Sequence, residues 1–177
     1  KQALERISKK KPIKLLIFKS SIADNNLWKK GIPNIKIEYK TWNIKTICND
    51  LLNIDIGIVP YINEIKNKLD HKPNIGKYST DYFIRFKQKA NSGRCLVFHQ
   101  LKIPVIADII PQNMYLLSNP NNGYAVCGEE SWYKAFEELL CEKRRHFIAE
   151  NAFKEFQEKY DPLKWVQIFL NELDKNL

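Results

Sequence analysis

The stretch Lys89-Ala-Asn-Ser-Gly-Arg-Cys-Leu-Val-Phe-His-Gln-Leu-Lys-Ile-Pro-Val-Ile-Ala-Asp108 decides the fold, because it runs from a polar loop through a helix into a short apolar strand. Small and cationic residues (Lys89, Asn91, Ser92, Gly93 and Arg94) stand where the helix begins. The first amides of a helix have no partner inside it, and that end carries a partial positive charge. It is therefore a natural seat for phosphate. Lys89 and Arg94 add two formal charges there, which a plain solvated turn does not require.

The strand that closes the stretch, Ile103-Pro-Val-Ile-Ala107, is apolar throughout, as expected of a strand buried on both faces. Outward from it the same alternation recurs. Ile13 to Phe18 is a first apolar run, and Ile35 to Tyr39 alternates apolar and polar as a second strand. Trp42 to Leu52 has helical spacing through Ile44, Ile47, Cys48, Leu51 and Leu52. Ile54 to Pro60 reads as a third strand stopped by its proline, and Tyr124 to Cys127 as a fifth after the Asn121-Asn122-Gly123 turn signal. Helices are predicted over Ser131 to Cys141, from about Glu142 to Tyr160, and after Asp161-Pro162. The aromatic stripe Phe147, Phe153, Phe156 and Tyr160 reads as core. Strands and helices in alternation predict a Rossmann-like α/β domain, a parallel sheet with helices on both faces. The segment from Tyr61 to Phe86 lacks periodicity and joins the third strand to the helix of the opening stretch. Open α/β sheets bind ligands at that edge, so either a functional insertion or a surface excursion fits it.

Bulk properties narrow the classes. The 177 residues suit one domain, with residues 1–11 expected to be a linker or helix from a missing N-terminal domain. A net charge of +9 comes mainly from dispersed lysines, and the clusters Lys9-Lys10-Lys11, Lys29-Lys30 and Lys143-Arg144-Arg145 are not interleaved with stacking aromatics. Nucleic acid is thus a disfavoured partner, whereas peripheral contact with an anionic membrane fits the basic surface. No apolar run approaches the roughly 20 residues of a membrane helix. Cys48, Cys95, Cys127 and Cys141 show no metal-ligand spacing, and three of them lie in apolar surroundings. We read these as small buried hydrophobes in a reducing cytoplasm, and no metal site is expected. No GxGxxG follows the first strand, which disfavours a nicotinamide oxidoreductase.

Three stretches carry a resemblance to a known family: Asp55-Ile-Gly-Ile-Val-Pro60-Tyr61, Arg94 to Ala107 with its Pro104-Val105-Ile106, and Asn121-Asn-Gly-Tyr-Ala-Val126 through Ser131-Trp to Asp161. In this order, over most of residues 13–170, the chain resembles the C-terminal, donor-binding domain of GT-B glycosyltransferases of the group 1 type. The resemblance implies one half of a GT-B enzyme. It would bind a nucleotide-diphosphate sugar for hexosyl transfer, of the retaining kind, to a glycan or glycolipid, with neither cofactor nor metal. The acceptor site would lie in the missing N-terminal domain, and the protein would work in the cytoplasm, peripheral to the inner face of the membrane. The diphosphate would lie near Lys89, Asn91, Ser92, Gly93 and Arg94, with Lys89 and Arg94 stabilising the leaving nucleotide diphosphate. The base would sit near Tyr39, Thr41 and Trp42, with Trp42 either stacking on it or capping the core. Ser20 and Ser21 would turn toward the phosphates. Three positions depart from the family pattern. Val97 stands where many members carry a ribose-binding glutamate, Ala90 where they have a second acid, and Lys102-Ile103 where they have a glycine. These leave an altered donor, or a non-catalytic module for a phosphorylated ligand or protein partner, as the alternatives.

Overall fold

The computed structural model describes residues 1–19, 31–60 and 92–175. Within these, helices and strands alternate as α1 (Gln2–Ser8), β1 (Ile13–Lys19), β2 (Ile35–Thr41), α2 (Ile47–Leu51), β3 (Gly57–Val59) and α3 (Gly93–Gln100). They continue as β4 (Val105–Asp108), α4 (Pro111–Leu116), β5 (Tyr124–Val126), α5 (Glu129–Leu139), α6 (Glu142–Lys159) and α7 (Pro162–Asp174). Among the described residues the named strands pair in parallel, and the chain is a Rossmann-like α/β fold. The hydrogen-bonded ladder divides in two, β1-β2 and β3-β4-β5. One apolar cluster nevertheless spans both ladders, with Leu15 and Ile35 from the first and Ile106 and Val126 from the second.

β4 shows why its sequence is apolar without a break. Val105, Ile106 and Ala107 are all fully buried, yet successive side chains point to opposite faces. Val105 and Ala107 join Val59 of β3 beneath Cys95, Leu96 and Phe98 of α3 and Leu116 of α4. Ile106 faces the other way, with Val126, into Ala135, Phe136 and Leu139 of α5 and Ala3, Leu4 and Ile7 of α1. Both faces are therefore covered. The β1-β2 pair is different. Ile13, Leu15, Ile17, Ile35 and Ile37 face the core, while Lys14 and Glu38 form an ion pair at 2.9 Å on the opposite side.

α3 is seated by a glycine. A Cβ on Gly57 would fall 2.6 Å from the Phe98 ring, so only glycine lets this helix lie directly on β3. Gly123, with φ +144 and a Cβ position 2.8 Å from the Val105 carbonyl oxygen, serves the entry to β5 in the same way. Among the described residues, no helix is long and apolar enough to cross a membrane.

Several sequence expectations are corrected. Of the aromatic stripe, Phe156 is buried but Phe147 is 48% exposed. The helix expected over Trp42 to Leu52 shrinks to α2, because the Asn43 side chain accepts from the Lys45 amide and holds residues 43–46 in a turn. Of the cysteines, only Cys95 is buried; Cys48, Cys127 and Cys141 are exposed, the last two just beyond the ends of β5 and α5. α4 adds a helix not read from the sequence, opened by Pro111. Residues 2–8 form a true helix whose Ala3, Leu4 and Ile7 are buried, packed on α5.

Candidate functional site

The expected site residues fall into two groups on different sheets. Tyr39 and Thr41 end β2, and Trp42 follows it, its amide donating to the Lys19 carbonyl at 2.7 Å. Ser92, Gly93 and Arg94 open α3, the helix that leads into β4 of the second sheet. Ser20, Ser21, Lys89 and Asn91 lie outside the described residues.

At the start of α3, Ser92 is the N-cap, with its carbonyl accepting from Cys95 N at 2.8 Å and Leu96 N at 3.1 Å. Its side chain makes no capping bond. Gly93 and Arg94 are the first two helical residues, and Arg94 is exposed. No acidic residue occupies this first turn, so the positive end of the helix and the guanidinium act with the same sign. Cys95 and Leu96 point inward, and the Cys95 thiol is pushed up to about 12 by burial, offset in part by the Arg94 charge. At that value it is a packing group and not a nucleophile.

The base of the helix is braced by a residue the sequence reading missed. Asn113 of α4 is fully buried; its Nδ2 donates to the Asp108 carbonyl at 3.0 Å, and its Oδ1 accepts from Cys95 Sγ at 3.5 Å. It thus ties α3 to the carboxyl end of β4. The Asp108 carboxylate in turn accepts from Trp132 Nε1 of α5 at 3.0 Å. The signal that could have revealed Asn113 was Pro111, a helix-opening residue just after a strand.

At the end of β2, the Lys19 ammonium lies 4.2 Å from the centroid of the Tyr39 ring, so a cation already covers one face of that ring. Trp42 is 52% exposed and does not cap the core. Lys40 pairs with Asp50 of α2; the shared hydrogen bond raises the lysine and lowers the carboxylate from their usual ranges. Val97 lies on an exposed face of α3, 37% accessible, one turn beyond Arg94. No cluster of three or more histidine, cysteine, aspartate or glutamate side chains forms a metal-holding group among the described residues.

Compared with models of known protein families the chain matches none, and no curated protein matches it.

Proposed function

We propose that this domain binds the diphosphate of a nucleotide sugar at the N-terminus of α3 and serves as the donor half of a glycosyltransferase. The observation that supports it best is the start of α3. Ser92, Gly93 and exposed Arg94 present a helix end with no acidic residue in its first turn, on the connection between two parallel strands. That is where open α/β sheets receive anionic ligands. The exposed indole of Trp42 at the end of β2 supports a stacking role for the base. Arg94 would neutralise charge on the departing nucleotide diphosphate.

Calorimetric titration of the chain with a panel of UDP, GDP and ADP sugars tests this. The expected result is saturable binding that weakens with added salt and falls about tenfold, near 1.4 kcal/mol, in Arg94→Ala. No heat at millimolar ligand, or an Arg94→Ala variant that binds as tightly as the parent, sinks the reading. Val97 favours a second one: with an apolar side chain on the exposed face of α3, the domain holds a phosphorylated ligand without turning it over. In that case inorganic pyrophosphate competes as well as any nucleotide sugar does.

A further inference from the structure

The contact between α3 and α6 closes over a deeply buried histidine. His99, near the end of α3, is 1% exposed, and neither Nδ1 nor Nε2 has a hydrogen-bond partner among the described residues. A neutral imidazole carries one donor and one acceptor, so leaving both unmade in the interior is costly. Its polar neighbours are Asn122, from the turn before β5, and Glu155 of α6. Asn122 is also 1% exposed; its Nδ2 donates to the Glu155 carboxylate, while its Oδ1 has no partner among the described residues. The same carboxylate accepts from Lys159 Nζ at 2.9 Å. Where the chain leaves α3, Lys102 reaches across to Glu150 of α6 at 3.0 Å, an exposed pair. Burial pushes the His99 ring down to about 4, and the Glu155 charge and the Asn122 backbone offset only part of that cost.

We propose that His99, Asn122 and Glu155 form an acid-sensitive latch, which holds α3 on α6 while the ring is neutral and releases it when the ring takes a proton. In the closed contact the Glu155 carboxylate is shared with Asn122 and Lys159, so it offsets only part of the cost of a new positive charge on the ring. In the open contact water solvates it. The ring binds its proton more weakly closed than open, so acid favours opening. The latch is fully held above about pH 6.5 and is lost as the pH falls toward 4. Nothing in it depends on a ligand at the far end of α3.

Native-state hydrogen exchange, corrected for intrinsic rates, tests the latch. From pH 7.5 to 4.5, a ring titrating at 6.5 when open and at about 4 when closed raises the opening constant roughly fifty- to a hundredfold. The α3 amides and the facing turns of α6 should lose protection by that factor. His99→Phe, which fills the space and takes no proton, should keep it. If that variant does not fold, the wild-type imidazole provides the readout: its NMR shifts should titrate well below pH 6 in the folded protein, together with the loss of protection. A ring that titrates near 6.5 in the folded state, or equal losses of protection in wild type and His99→Phe, overturns the proposal.

Discussion

Gly57 and Asn113 both help to place α3. Gly57 leaves room for the Phe98 ring, and Asn113 joins Cys95 to the last carbonyl of β4. Gly57→Ala should destabilise the fold by about 1–3 kcal/mol, because the new methyl meets the middle of a ring and not a flexible chain end. Urea denaturation measures this, and Phe98→Leu in the same chain should recover part of the loss. Asn113→Ala should cost about 1–3 kcal/mol, because it removes a fully buried side chain together with its bonds to the Asp108 carbonyl and Cys95, whereas a variant within 0.5 kcal/mol of the parent would show that the brace adds nothing. Gly57 stood out in the sequence as the glycine of an apolar strand. What it makes room for did not, since Phe98 is forty-one residues away.

Among the helices, α1 and α7 make opposite use of apolar residues. α1 buries Ala3, Leu4 and Ile7 against α5 and is pinned there by Arg6 to Glu130 at 2.7 Å and by Lys10 to Glu137. Hydrogen bonds from these cations hold both carboxylates below their usual range. A lowered carboxylate stabilises the fold above its unfolded value and ceases to do so as acid protonates it, so the α1–α5 attachment weakens as pH falls below about 4.5. Exchange of the α1 amides should rise in that range, below most of the His99 window, and 1 M salt at neutral pH should reproduce part of the effect. α7 buries none of its residues, although Leu163, Trp165, Val166, Ile168, Phe169, Leu170 and Leu173 all lie on it. It is held at its start by the Asp161 cap and by Trp165 Nε1 donating to the Lys159 carbonyl at 2.7 Å. Phe169→Ser should therefore leave stability within about 0.5 kcal/mol, while Leu139→Ala in α5 should cost about 2–5 kcal/mol. Thermal melts of the two variants side by side check the contrast.

At the scale of the whole molecule, among the described residues, the two ladders are joined by side chains and not by backbone bonds. The shared cluster draws on α1, β1, β2, β4, β5, α5 and α6, so losing any one helix exposes both ladders. Ile7→Ala, a change in the first ten residues, should lower stability by about 2–5 kcal/mol in a single cooperative transition. Two separate transitions would mean that the ladders unfold independently.

Local periodicity located the strands and most of the helices among the described residues, although α4 escaped it. Apolar runs such as Pro104-Val105-Ile106, the Asn121-Asn122-Gly123 turn and the Asp161-Pro162 start each encode their element within a few residues. It also located the polar start of α3, because a helix opens where small and charged residues precede an apolar stripe. Tertiary structure decided what periodicity cannot encode. The turn at Asn43 shortened α2, three cysteines proved exposed, and Asn113 came to brace β4. His99 is the sharpest case. In sequence it is one histidine on an apolar helix, and only the packing of α6 and the Asn122 turn around it sealed the ring from water. Desolvation depends on every neighbour at once, and those neighbours lie up to fifty-six residues away along the chain.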